Sequence, residues 1–355
     1  MTRPARVIID PDAARHNLTL VRHFAPLARV LAVIKADAYG HGIVRMARLF
    51  DHADAFAVAS LEEAQSLKQA RIPQPVVLLE GPFEAAEVET VAELGLELVL
   101  HTVEQIEMLR RTGLKIPVWL KFDTGMHRLG FAPDQFASVY VRVCEFARPL
   151  RFMTHFANAH KRGDASIRSQ IACFDSLLGD AVGERSLANS GALITTPAAH
   201  ADWVRPGLML YGVSPLHGES AQSLGLQPVM TLRSRLISVR QVQAGAAVGY
   251  GGSFVCPEDM PIGVVAYGYG DGYPRHAGTG TPVMVKGVRA QVIGECSMDM
   301  MTVDLRAVPD ARFGDPVTLW GKGLPIEDVA RACATIPYEL LCRVRMRAHY
   351  EQGTP

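Results

Sequence analysis

Residues 32–42 read AVIKADAYGHG, and Lys35 closes an apolar run, VLAVIKA, that otherwise has the character of a buried strand. Loss of water disfavours an ammonium and frees the amine, and a free amine forms imines with carbonyl compounds. The carbonyl partner is a substrate or an aldehyde cofactor; the residue type alone leaves both open. Other polar residues fall at the ends of similar apolar runs: Lys121 and Asp123, His155, then Asn189 and Ser190. Singly, each reads as an ordinary rim residue. Gathered on one face, they read as a site.

Gathering them requires a particular architecture. Short apolar runs occur at VLAVIK (30–35), AFAVA (55–59), PVVLLE (75–80), LELVL (96–100), PVWLKF (117–122), LRFMTHF (150–156), RSLAN (185–189) and LMLYGV (208–213). Amphipathic stretches such as SLEEAQSLKQA (60–70) and VEQIEMLRR (103–111) separate them. Continuous apolar strands alternating with helices indicate a parallel sheet covered by helices, and eight such units predict an α/β fold of the (β/α)8 TIM-barrel type. Barrel enzymes hold their chemistry at the C-terminal strand ends, where Lys35 and its companions are expected. After about residue 222 the pattern changes to β-branched runs at 229–242, 261–268, 281–294 and 300–305, with a lone helical signal at 325–334. The predicted domains are therefore a barrel over 1–222 and a mainly β domain over 223–355.

With 355 residues, 36 basic and 36 acidic side chains and a formal net charge of zero, nothing in the overall balance favours nucleic acid or an acidic membrane surface. Three arginines at 343, 345 and 347 alternate as a solvated strand face would. The six cysteines are scattered without metal or redox spacing, which suits a reducing compartment. No signal core and no bilayer-length apolar segment is present, so a soluble cytoplasmic protein without a metal is expected.

KADAYGHG resembles the cofactor-lysine signature of the alanine racemases, and the resemblance continues in order along the chain. LKFDTGMHRLG (120–130), THFANA (154–159), LANSGA (187–192) and WVRPGLMLYG (203–212) are similar to the family's barrel segments. VGYGGSF (248–254), GYGDGYPR (268–275), CSMDMMTVD (296–304) and IPYELLC (336–342) are similar to its C-terminal domain. The family fold, an eight-stranded barrel followed by a β domain, agrees with the pattern above.

The resemblance implies interconversion of L- and D-alanine by two-base α-proton transfer on a pyridoxal 5'-phosphate aldimine. Lys35 would carry the cofactor and serve as the base for the D-enantiomer. Tyr250, reaching in from the partner subunit of a homodimer, would be the base for the L-enantiomer. A tyrosine ordinarily titrates at roughly 10, and the family pattern connects Tyr250 through His155 to Arg205. Arg205 would face the pyridine nitrogen and keep it unprotonated, since arginine holds its proton; that limits side reactions such as transamination. The phosphate would be held by the hydroxyls of Tyr39, Ser190 and Tyr338 and the amides of Gly207 and Leu208, with Asn189 beside them. Arg128 would orient the cofactor's phenolic oxygen and the substrate carboxylate. Met298 and Asp299 would contact that carboxylate from the partner subunit, and Tyr269 would form an inner gate. Lys121 matches a lysine that is carbamylated in many members; the alternative is an unmodified lysine paired with Asp123 or another acid. Leu208 replaces an isoleucine and Ser297 a cysteine of some relatives, and the tail RVRMRAHYEQ departs from the usual ending.

Three other readings are a broad-specificity racemase, a barrel-type pyridoxal-phosphate decarboxylase, and a pyridoxal-phosphate carrier protein with no activity. Tyr338 and the missing export signal lean away from the first. VGYGG and SMDMM argue against the second. The C-terminal domain argues against the third.

Overall fold

A computed structural model describes residues 3–147, 149–344 and 349–352 of the chain. They divide into two compact units, one comprising 15–210 and 214–219, the other 1–14, 211–213 and 220–355. The first strand, β1 (Arg6–Ile9), belongs to the second unit.

The first unit is a closed parallel barrel of eight strands. They are β2 (Arg29–Val33), β3 (Ala55–Val58), β4 (Val76–Leu78), β5 (Glu97–Leu100), β6 (Val118–Lys121), β7 (Leu150–Met153), β8 (Glu184–Asn189) and β9 (Trp203–Arg205). β3, β4 and β6 are buried along their whole length, as strands packed on both faces must be. Seven barrel strands fall within or beside the apolar runs that predict them. The eighth does not. LMLYGV was expected to close the barrel, but Leu208–Tyr211 is a 3-10 turn and β9 lies upstream, pairing with β2 and β8. Pro206 and Gly207 end the strand, and the Leu210 amide donates to the Gly207 carbonyl at 2.9 Å.

Charged and aromatic side chains gather at the N-terminal strand ends of the barrel. Arg151 donates to Glu97 at 2.9 Å and Glu184 at 2.6 Å, and the Trp119 and Trp203 ring N–H groups donate to the same two carboxylates. The opposite end is left for polar loops.

In the second unit, the long strand β10 (Met230–Val242) is central. Two short strands, β11 (Ala247–Val248) and β12 (Phe254–Val255), form their own pair. β13 (Met260–Val265), β14 (Pro282–Val285), β15 (Val288–Ile293), β16 (Met301–Asp304) and β17 (Pro316–Trp320) pair antiparallel in a ring that returns to β10. β1 pairs antiparallel with β10, and β18 (His349–Gln352) runs parallel to β1. The helical signal at 325–334 corresponds to a helix over Ile326–Ala332. Arg343 follows the helix Pro337–Cys342 and donates to Glu339 at 2.9 Å, so it is not on a strand; Arg345 and Arg347 lie outside the described residues.

The segment after β2 has unusual backbone. Ala36, Asp37, Ala38 and Tyr39 have φ values of 54°, 51°, 53° and 52°, a run of left-handed turn made without glycine. Each such residue costs roughly 1–2 kcal/mol, so local support is needed. The Glu63 carboxylate accepts from the Ala36 and Ala59 amides, and Asp37 accepts from Ile43 N at 2.7 Å. His41, fully buried, places Nδ1 at 3.0 Å from the Ala38 carbonyl and 2.9 Å from that of Tyr39. Between two carbonyls, Nδ1 carries the proton and donates.

Burial pulls the His41 pKa down to about 4 against its two carbonyl contacts. Its folded value lies below the unfolded one, so its contribution is whole above pH 6.5. It falls as acid protonates the unfolded chain and is exhausted below about pH 4. The linkage amounts to about 3 kcal/mol. Urea unfolding of the natural chain and of His41→Gln, which titrates nowhere in this range, is expected to show their stability difference shrinking by that order between pH 7 and pH 4.

Candidate active site

The C-terminal strand ends bring together Lys35, Tyr39, Lys121, His155, Asn189, Ser190, Arg205 and Gly207. Arg205, at the end of β9, is 4% exposed. Its Nη1 donates to Ser186 Oγ at 2.7 Å, and Nη2 to the carbonyls of Thr154 at 2.6 Å and Leu187 at 3.2 Å. Burial lowers its pKa to about 9, which still leaves a cation at neutral pH. Ser186, itself fully buried, donates its hydroxyl hydrogen to the Trp203 carbonyl at 2.9 Å and so presents lone pairs to the guanidinium.

His155 Nδ1 lies 3.3 Å from Arg205 Nη2. A guanidinium only donates, so Nδ1 accepts and the imidazole proton resides on Nε2. Loss of hydration, then the charges of Arg205, Lys121, Arg128 and Lys35, hold the His155 pKa well below the ordinary value. The ring is neutral, with its N–H on the side away from Arg205. Asn189 Nδ2 stands 3.4 Å from that nitrogen, while its Oδ1 accepts from the Ala192 amide and caps the short helix Ser190–Thr195.

Beside this group lies a small cradle. Ser190 Oγ accepts from the Gly207 amide at 2.8 Å, and the Met209 amide approaches it at 3.5 Å. A Cβ at position 207 would meet Tyr39 Oη at 2.6 Å, so a side chain there would displace the Tyr39 hydroxyl. Tyr39 is delivered by the left-handed turn. Leu208 follows, its side chain buried.

Lys121, the last residue of β6, is 8% exposed. Its pKa is lowered to about 8 by burial and by Arg205, Arg128 and Lys35, while Glu80 acts in the other direction. Asp123 is engaged elsewhere: its Oδ1 accepts from the amides of Gly125, Met126 and His127 and so shapes the loop leading to Arg128. Arg128 is itself exposed.

Lys35 departs from the reading of a desolvated strand-end amine. It lies beyond the end of β2, at the start of the left-handed turn, where its side chain is 39% exposed and 3.9 Å from Glu80 Oε1. The remaining sequence candidates belong to the β unit. Tyr250 is 71% exposed, in a turn between Gly249 and Gly251, and Met298 is 55% exposed. Tyr269 opens a turn bound to the following loop: the amides of Tyr269 and Gly270 donate to the carbonyls of Ser297 and Met298 at 3.1 and 2.8 Å. Arg3 donates both to the buried Asp271 of that turn, at 2.7 Å, and to the Asp299 carbonyl, at 3.0 Å. Tyr338, in the helix Pro337–Cys342, is 39% exposed.

Sequence reasoning missed the groups that hold these candidates. Ser186 left a signal, a lone hydroxyl within the apolar RSLAN. His41 stood inside the quoted motif without a role. The carbonyls of Thr154 and Leu187 left none, because every residue has one.

The chain matches the family descriptions "Alanine racemase, N-terminal domain" over residues 9–215 and "Alanine racemase, C-terminal domain" over 229–351. It is 51% identical to the alanine racemase of Chromohalobacter salexigens, spanning 98% of this chain and 97% of that one. Identity to the alanine racemase of Nitrosospira multiformis is 48%, over 98% and 99% of the two chains. Among solved structures, the biosynthetic alanine racemase of Pseudomonas aeruginosa superposes with a TM-score of 0.97 at 46% identity, covering 99% and 100%. The alanine racemase of Bartonella henselae, solved with covalently bound pyridoxal phosphate, gives 0.90 at 29% identity, over 98% and 99%. With both family domains in order along one chain, this protein belongs to the alanine racemase family.

Proposed function

We infer that this chain is a pyridoxal-phosphate-dependent isomerase that interconverts L- and D-alanine, moving the α-proton between two bases on opposite faces. The observation that carries the reading is the cradle at Gly207, where the hydroxyls of Tyr39 and Ser190 adjoin a backbone at which a Cβ would displace Tyr39. Its donors fit a phosphate, and Lys35 and the Arg205 cation, in the same barrel mouth, fit an aromatic aldehyde. When bound, the cofactor supplies an electron sink for the pair left on the substrate α-carbon.

The residues divide that work. Lys35 would hold the cofactor through its amine and, once released, take the α-proton from D-alanine. Tyr39, Ser190 and Tyr338, with the Gly207 and Leu208 amides and Asn189, would hold the phosphate. Arg205 would face the ring nitrogen; as a permanent donor it offers no proton to it. Arg128, Met298 and Asp299 would receive the substrate carboxylate, and Tyr269 would narrow the way in.

Tyr250 is the proposed base toward L-alanine. Its exposure, with that of Met298, supports a second copy of this chain covering both and receiving them into its own site. The neutral His155, its Nε2 proton directed away from Arg205, is suited to stabilise a phenolate there. Among the described residues no helix is long and apolar enough to cross a membrane, and we place the dimer in the cytoplasm.

Lys121 is the proposed site of carbamylation. A buried amine with a pKa of about 8 is partly neutral near pH 7.5. Its lone pair attacks the carbon of CO2, a C–O π pair moves onto oxygen, and the nitrogen loses a proton to solvent. The resulting anion would stand among Arg205, Arg128 and Lys35, where the single chain supplies little negative charge.

Mixing tests the shared site. Lys35→Ala and Tyr250→Phe are each expected to lack racemisation, Lys35→Ala also losing the visible absorbance that borohydride bleaches in the parent. After subunit exchange of equal amounts, about a quarter of the sites hold both native bases, and racemisation of alanine in a chiral assay should return to that order. Fully formed heterodimers that stay silent would defeat the dimer reading.

Lys121 makes a separate prediction. Enzyme incubated with 13C-bicarbonate should show a carbamate carbon resonance that Lys121→Met lacks, and incubation in CO2-free buffer near pH 6 should lower activity until bicarbonate is returned.

A further inference from the structure

Behind His155 lies a buried carboxamide that the mechanism above does not use. Gln170, on the helix Ala165–Leu178, is 2% exposed. Its Nε2 donates to the His155 carbonyl at 3.0 Å and to Thr124 Oγ1 at 3.2 Å, and its Oε1 accepts from the Ala157 amide at 3.2 Å. Thr124 Oγ1 in turn lies 2.7 Å from Oγ1 of the buried Thr154, whose carbonyl accepts from Arg205. Both Nε2 protons and the carbonyl oxygen are engaged, in three directions at once.

The placement has a mechanical meaning. Strands β6 and β7 pair as far as Lys121 and Met153. Past that ladder the loop carrying Arg128 and the segment carrying His155 leave the sheet, and the Gln170 amide bridges them. It grips His155 by its own carbonyl, and Ala157 two residues further on. Gln170 thus holds the His155 backbone while Arg205 meets its ring. The Gly125 backbone runs so close that a Cβ there would touch Gln170 Cγ at 3.4 Å.

We propose that Gln170 is a positioning residue for proton transfer on the L-alanine face, holding His155 at the distance from which its ring serves Tyr250. This rests on the assignment of Tyr250 and His155 to that face. Lys35 is held by the left-handed turn, whose supports are Glu63, Asp37 and His41. Loss of the Gln170 bridge therefore leaves the Lys35 base held and falls mainly on the L-alanine face.

Only a carboxamide supplies two donors and an acceptor in this geometry. Gln170→Glu keeps the shape and replaces two N–H donors by at most one O–H; Gln170→Met keeps the approximate length and removes all three groups. The measurement is the first exchange of the α-proton with solvent deuterium, begun separately from L-alanine and D-alanine on holoenzyme of matched cofactor occupancy. Both variants should lose exchange from L-alanine by about tenfold or more, the scale of a sub-ångström misplacement, with exchange from D-alanine within about twofold of the parent. The 15N shifts of the His155 ring, in the full chain with and without cofactor, should move from one fixed tautomer toward a mixture. Equal loss from both enantiomers, or no loss in the variant that folds, overturns the proposal. Tyr250→Phe serves as the reference: L-selective loss there, with none in Gln170→Glu, retires the role of Gln170 alone. Equal loss from both enantiomers in Tyr250→Phe retires the base assignment and this proposal together.

Discussion

A buried guanidinium with no carboxylate partner among the described residues sets the terms for the barrel mouth. Arg205 meets its need for acceptors with a hydroxyl and two main-chain carbonyls, which carry partial rather than full negative charge. Its positive charge is therefore solvated but not cancelled. The surplus adds to burial in acting on the neighbours: His155 is kept neutral and Lys121 loses part of its affinity for a proton. A carboxylate beside Arg205 would have cancelled its share of both shifts and left the larger share, which comes from burial. The site is thus electron-poor before any ligand enters, and phosphate, a substrate carboxylate and a carbamate are all anions that such a field attracts.

The second constraint is backbone strain. Four consecutive left-handed residues after β2 turn the chain through a path that a right-handed helix could not follow, and they set Tyr39 against Gly207. A sum of several kcal/mol is implied for the turn at roughly 1–2 kcal/mol per residue. The Glu63 carboxylate, accepting from two amides, and the buried neutral His41, donating toward two carbonyls, offset it locally. Glycine at these positions would relieve the strain but loosen the turn, since each glycine adds freedom to the unfolded chain.

Much of this was legible in the residue order, for physical reasons. Parallel strands are buried on both faces, so seven of the eight barrel strands fall within or beside short, largely apolar runs. β9 escaped because three residues, WVR, carry little periodic signal, and the adjacent LMLYGV is as apolar in a 3-10 turn as in a strand. β1 escaped because its partners lie more than two hundred residues away. In the site, Lys35, Tyr39, Ser190 and Arg205 were marked by side-chain chemistry, whereas the carbonyls that receive Arg205 are invisible as letters. The exposure of Lys35 was misjudged for a related reason: an apolar run tells where a strand passes, not the residue at which it stops.

The pairing of β1 bears on how the molecule is made. Arg6 finds its partners at Arg233 and His349, and every barrel strand lies between. The barrel is in effect spliced into the β unit after its first strand. During synthesis that strand, with Val7 and Ile9 that end fully buried, emerges first and has nothing to pair with. At roughly 5–20 residues per second, the wait for β10 is on the order of 10–45 s. The barrel can close in that interval; the β unit cannot begin. The nascent chain must therefore carry an unpaired apolar strand ahead of a growing barrel, a window in which a chaperone or a neighbouring nascent chain competes with β10 for the same edge.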